Sequence, residues 1–193
     1  MNSSLLLQNI QSKIALKNED LKAFTSLFVK STIKKNQKLI EEGKKNDKLY
    51  FIEKGLVYSY KTLNDGSIQV IQFAKENYWI TDLCSFFNSS TSLFTITTIE
   101  HCELLHISRQ RYDDICLQNN NIATYFRLII QTAYGHTLQR LSDVYVENAT
   151  SKYNHFIKQF FEISQRVPQY LIASYLGILP SSLSRIRNKK SKK

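Results

Sequence analysis

The chain has 193 residues, with 26 Lys and Arg against 16 Asp and Glu, a formal net charge of +10 and 42% apolar residues. That is enough apolar material for a real core in one domain, or one domain plus a small appendage. No run approaches the roughly 20 apolar residues that a membrane helix requires, and the opening residues lack the basic leader and apolar length of a secretory signal. Cys84, Cys102 and Cys116 are odd in number and have no CxxC spacing. A disulfide framework or structural zinc site is therefore not expected, and a reducing cytoplasm fits.

The charge is unevenly placed. Residues 1–150 hold 17 basic and 15 acidic side chains, whereas residues 151–193 hold nine basic ones and a single acid, Glu162. A nearly neutral body with a basic end points to a polyanion met by that end, either nucleic acid or an anionic membrane surface. A merely solvated Lys-rich tail at Lys189–Lys193 is the plainer alternative.

In chain order, Leu6, Ile10, Ile14, Leu21, Phe24 and Leu27–Phe28 recur at helical spacing around the polar Lys17-Asn18-Glu19-Asp20, which predicts two short helices in residues 1–30. From about Ile33 to Ile107 the pattern changes to short β-rich runs: Lys48–Ile52, Val57–Thr62, Ile68–Phe73, Phe94–Ile99 and Glu103–Ile107. Asn64-Asp65-Gly66-Ser67 is a hairpin signal, because Asp-Gly supplies the positive φ that a tight reversal needs. Several short strands at this spacing suggest an all-β barrel or roll.

Residues 110–146 contain no proline, and Ile115, Ile122, Ile129 and His136 recur every seventh position. The reading is one long helix. Its stripe of Ile115, Ile122, Phe126, Ile129 and Ala133 either packs on the roll of its own chain or forms a dimer seam. The seam is favoured, because so long a helix has more apolar surface than a small roll covers. Gly135 either weakens this helix or permits close helix–helix approach. Next, Asn148-Ala149-Thr150-Ser151 marks a capped helix start, followed by the apolar face Tyr153, Phe156, Ile157, Phe160 and Phe161 and a short break over Glu162–Val167.

The only two prolines, Pro168 and Pro180, each stand where a helix should begin. Between them Ala173 is small where a second helix crosses, and Gly177 supplies the left-handed residue that ends the first helix. Ile172, Leu176, Ile178, Leu183 and Ile186 fall at core spacing. This is the pattern of a helix-turn-helix, and it leaves Ser181, Ser182, Ser184, Arg185 and Asn188 on the outer face of the second helix. Arg185 is the candidate for a bidentate guanine contact, and the serines reach bases or phosphates. Arg187, Lys189 and Lys190 are candidates for phosphate neutralisation. An ordinary helical hairpin would also use Gly and apolar spacing, but would not predict six basic residues and no acid after Leu183. Leu179 at the expected N-cap fits poorly, at a cost of about 1 kcal/mol.

These residues resemble the Crp/Fnr family of bacterial transcription regulators. Leu39-Ile40-Glu41-Glu42-Gly43, Asp47–Gly55 and Val57-Tyr58 are similar to the glycine-punctuated β-roll of its cyclic-nucleotide-binding-like sensor domain, and Ile99–Ser108 to that domain's final strand. Ile172–Ile178 and Leu183–Arg187 are similar to its helix-turn-helix. The resemblance implies an α+β chain with a jelly-roll-like β-roll and N-terminal helices over residues 1–109. A dimerisation helix over 110–147 and a helix-turn-helix domain over 148–193 would follow, with the family's C-terminal β-wing reduced or absent. It implies a homodimeric, sequence-specific DNA-binding regulator and not an enzyme, with double-stranded DNA, a second copy and RNA polymerase as partners and no membrane. A scaffold with a basic tail and no sequence preference is the alternative reading. A cupin-like metal enzyme is not expected, since no HxH spacing occurs.

Family members that bind cyclic AMP carry a Gly-Glu pair and then an Arg-Ser or Arg-Thr pair, the Arg neutralising the cyclic phosphate. Here the matching segment runs from Trp79 to Phe94 and holds no Lys or Arg between Lys75 and Arg109. A buried phosphate would forgo a charge-assisted partner worth roughly 1.5–3 kcal/mol, so cyclic AMP is not expected and no cofactor is assigned. Trp79, Thr81, Asp82, Ser92 and Phe94 are the candidate lining of a pocket for some less charged effector, if one exists; Trp79 and Phe94 would serve equally as core. Cluster-binding cysteines are missing before Cys84. His101 and His106, five apart on a strand, face opposite sides and do not chelate one metal together.

Overall fold

A computed structural model describes residues 4–190 of the chain. Two helices, α1 (Ser4–Gln11) and α2 (Asn18–Ser26), lead into a roll of eight strands: β1 (Val29–Ile33), β2 (Lys38–Ile40), β3 (Lys48–Lys54), β4 (Val57–Thr62), β5 (Ile68–Ala74), β6 (Trp79–Ile80), β7 (Thr95–Thr98) and β8 (Cys102–Ser108). A short helix, α3 (Leu83–Asn88), separates β6 from β7. The strands pair antiparallel in two sheets, ordered β1-β8-β3-β6 and β2-β7-β4-β5. Six helices follow: α4 (Arg109–Gln118), α5 (Asn120–Val146), α6 (Ala149–Gln159), α7 (Phe161–Arg166), α8 (Gln169–Leu176) and α9 (Pro180–Lys190).

The period-two geometry of a strand explains how β3 serves two cores. Tyr50 and Ile52 point between the sheets with Ile40, Val57, Ala74, Ile96 and Leu104. Leu49 and Phe51 point outward, where Leu6 and Ile10 of α1, Leu21 and Phe24 of α2, and Ile122, Tyr125 and Phe126 of α5 cover them. A third core lies on the outer face of the second sheet. There Leu56, Val70, Phe73 and Ile99 pack with Tyr153, Phe156, Ile163, Leu171, Ile172, Ala173, Leu176 and Leu183, so the C-terminal helices share one core with the roll.

Gly55 between β3 and β4 has φ +104°, and a Cβ there would stand 2.6 Å from Cys102 Sγ and 2.8 Å from the His101 carbonyl. Only glycine fits this close crossing of strands. The β4–β5 hairpin turns where Asp65-Gly66 predicts, with Gly66 at φ +81° and Ser67 N–H donating to Asp65 Oδ1 at 3.0 Å.

Several expectations need correction. The β region opens at Val29, inside the stretch read as helical, because the polar Lys-Ser-Thr run of β1 shows no apolar alternation. The long helix is two. Asn119 ends α4, and its side chain caps α5 by accepting from the N–H groups of Asn121 and Ile122, so the seven-residue recurrence from Ile115 to Ile122 crosses a break. The segment read as a break over Glu162–Val167 contains α7. Pro168 stands at the N-cap of α8 with ψ 140°, one position before the helix, whereas Pro180 is the first residue of α9 as expected.

Candidate functional site

α8 ends at Gly177, whose φ of +65° reverses the chain into α9; Ile178 N–H returns to the Ala173 carbonyl at 3.0 Å. Ile172, Ala173, Leu176 and Leu183 are buried between the helices, with Ile178 and Ile186 half-buried against them. Of the predicted contact residues, Ser181, Ser184, Arg185, Arg187 and Asn188 are exposed on α9, and Ser182 is half-buried. Spacing of three and four places Ser181, Ser184, Arg185 and Asn188 on one face, opposite Leu183 and Ile186. The side chains of Lys189 and Lys190, and residues 191–193, lie outside the described part. α9 continues through Lys190.

This helical pair is held on the roll by polar contacts that the sequence did not disclose. Ser174 Oγ donates to the Ile68 carbonyl at 2.7 Å and accepts from Val70 N–H at 2.9 Å, while Gln69 Nε2 donates to the Ser174 carbonyl. Arg140 of α5 donates to the carbonyls of Ile71, Val70 and Tyr175, and its guanidinium lies 4.0 Å from the Tyr175 ring centroid. Burial pulls the Arg140 pKa below its usual value, against the Tyr175 contribution. Below it, Arg166 pairs with both Glu76 and Glu100, Lys75 pairs with Glu162, and Glu76 Oε1 also accepts from Gly55 N–H at 2.7 Å. Burial would raise the Glu76 carboxyl, but the Arg166 and backbone hydrogen bonds outweigh it and hold the pKa at about 2.

In the roll, the residues predicted to line a pocket divide. Trp79 and Thr81 border a small cavity of about 70 Å³ with Phe87, Phe126 and Ile129, and no ionisable side chain lines it. Trp79 Nε1 donates to Tyr125 Oη at 3.0 Å, and Thr81 Oγ1 donates to the Lys48 carbonyl at 2.8 Å. Asp82 and Ser92 are instead buried against each other. Asp82 caps α3 by accepting from the N–H groups of Cys84 and Ser85, and its other oxygen accepts from Ser92 Oγ at 2.8 Å and Leu93 N–H at 2.5 Å. Those are the donors an incoming anion would use at a helix N-terminus, and a carboxylate of the chain already holds them. Phe94 is half-buried and does not border the cavity. The nearest following cation, Arg109, is engaged by Asp113 and by the Phe86 carbonyl at 2.6 Å.

With this geometry in hand, comparison with known proteins is informative. Residues 30–119 match the family model of the cyclic nucleotide-binding domain. A search of curated proteins finds no match by sequence. Among solved structures, FixK2 from Bradyrhizobium japonicum superposes with a TM-score of 0.77 at 14% identity, covering 86% of this chain and 85% of that one. CLP from Xanthomonas campestris, described as a c-di-GMP responsive global regulator, gives 0.72 at 15% identity, covering 91% and 92%. A protein assigned to the Crp/Fnr family from Eubacterium rectale gives 0.71 at 15% identity, covering 92% and 85%. The chain therefore has the Crp/Fnr fold, a cyclic nucleotide-binding domain followed by a helical C-terminal part.

Downstream of that domain the predicted seam is partly wrong. Ile122 and Phe126 are 0% and 1% exposed within the single chain, and Ile115 and Ile129 are half-buried on the same core. Ile122 and Phe126 are spent on covering the domain's first sheet; of the predicted stripe only Ala133 is exposed. Among the described residues, the large apolar side chains that α5 exposes are Tyr134, Leu138 and Leu141, at 64%, 47% and 52%. They lie at steps of four and three on another face. Sequence reading passed over them because the regular heptad of Ile residues was the louder signal. His101 precedes β8, His106 lies within it, and no group of three His, Cys, Asp or Glu gathers among the described residues. No described helix is long and apolar enough to cross a membrane.

Proposed function

We propose that the protein is a transcription regulator that binds double-stranded DNA as a homodimer and is not switched by a cyclic nucleotide. The observation that carries this reading is the outer face of α9: exposed Ser181, Ser184, Arg185 and Asn188 on a helix held by a glycine turn, with no acid after Glu162. Arg185 reads a guanine, the serines and the α9 N-terminus contact phosphate or base edges, and Arg187, Lys189 and Lys190 neutralise the backbone. The dimer forms through Tyr134, Leu138 and Leu141 of α5. Gly135 supports this, since a Cβ there would meet nothing within 4 Å and a second helix has room to approach. The cassette around Asp82 supports the absence of nucleotide control, because its anion-binding donors are occupied from within.

A mobility-shift screen on genomic fragments, run beside Arg185→Ala, tests this directly. The reading expects a preferred fragment retained at moderate salt and lost in the variant. Equal binding of all fragments, or an unaffected variant, would leave only a basic scaffold.

A further inference from the structure

The joint between the roll and the C-terminal helices contains a cavity of about 120 Å³, close to the roughly 150 Å³ that accommodates a benzene ring in an apolar interior. Phe156, Phe160 and Tyr175 form one wall, with ring centroids 5.4–6.5 Å apart. Asp143 and Glu147, one helical turn apart, border the cavity from α5 and its C-cap. Glu147 Oε1 accepts from His155 Nδ1 at 2.8 Å, but Oε2 is buried and has no hydrogen-bond partner among the described residues. Asp143 Oδ1 accepts from Gln139 at 2.9 Å. The Arg140 guanidinium also borders the cavity, yet three backbone carbonyls and the Tyr175 ring already engage it.

Glu147 Oε2 is thus a buried carboxylate oxygen with no hydrogen-bond partner among the described residues, a group that is costly to leave unsatisfied. We propose that this cleft between α5, α6 and α8 binds a small organic ammonium ion with an aromatic or alkyl body. The ammonium N–H groups donate to Glu147 Oε2 and to Asp143, and the body lies against the aromatic wall, an arrangement suited to cations beside π faces. Such a ligand touches both the helix leaving the roll and the helices that carry α9. Its binding is therefore sensitive to how the two halves sit. Lys152 and His136 border the same cavity, so an anion of equal shape is the competing ligand.

Titration calorimetry on the full chain without DNA decides it, using 2-phenylethylamine, 2-phenylethanol and phenylacetate, which share a body and differ in the head. The expected result is saturable binding of the amine, weaker by about tenfold or more for the alcohol and the acid, and about tenfold weaker in Glu147→Gln. Asp143→Asn, at a more open position, should weaken the amine in the same direction and serves if the first variant folds poorly. No amine binding up to roughly 10 mM, tighter binding of phenylacetate, or undiminished amine binding by the folded variants overturns the proposal. Because no DNA is present, the result stands whether or not the DNA reading survives.

Discussion

The Asp82 loop of the roll and the outer face of α9 are both built from short polar residues around a helix N-terminus, and they differ in what those residues touch. Around Asp82 every donor within reach meets an acceptor of the same chain: two α3 amides, the Ser92 hydroxyl and the Leu93 amide. On α9, Ser181, Ser184 and Arg185 are exposed and lie in a stretch without acids. Buried polar groups that satisfy one another hold a fold together, whereas exposed donors clustered on one helix face suit a partner. The two regions thus teach that the chain satisfies the polar groups of the Asp82 loop from within, and leaves those of α9 on the surface.

The largest effect should come from breaking the closed side. Asp82→Ala removes an N-cap and leaves the Leu93 amide without its acceptor, while Ser92 Oγ keeps the Phe94 carbonyl, an expected loss of about 3 kcal/mol. A urea midpoint unchanged from the parent would mean that the cassette is not held by this carboxylate. On the open side, Arg185→Ala should weaken specific DNA by about 1–3 kcal/mol while leaving the urea midpoint alone. A variant that instead lost stability would move Arg185 to the structural side of the comparison. A smaller effect concerns the seam joining the two regions. The Glu76 pKa lies at about 2, below the ordinary 4.5. Its contribution is therefore complete above about pH 5 and is lost as pH falls through 4.5 towards 2. Because the pair is partly exposed, the loss should be about 1 kcal/mol, and Glu76→Gln should flatten this part of the stability–pH curve. The smallest change is in salt response: Arg187→Ala should reduce the log–log slope of DNA affinity by about 0.9.

What could be read from the sequence follows from where each signal is local. The hairpin at Asp65-Gly66 and the turn at Gly177 rest on backbone conformations that few residues adopt, so a few letters suffice. The pairing of helices around Ala173, Leu176 and Leu183 shows as spacing. β1 and β2 were missed because β1 is mostly polar and β2 has only three residues, too few for an alternation to show. The break at Asn119 hid beneath a recurring Ile. The docking of α8 on β5 was illegible for a different reason: Ser174 meets Ile68 and Val70 across more than a hundred residues, and nothing nearby in sequence records such a partner. The closed cassette was half legible. The missing cation could be counted, but that Asp82 accepts from the α3 amides, Ser92 and Leu93 required the folded loop.

The central claim, that two α9 helices read DNA as a symmetric pair, is tested most directly by selecting bound duplexes from a random pool with the full-length protein. The account predicts enrichment of an inverted repeat whose half-sites are centred about one helical turn, roughly 34 Å, apart. Recovery of duplexes with no shared sequence, or of a single unrepeated half-site, would contradict it.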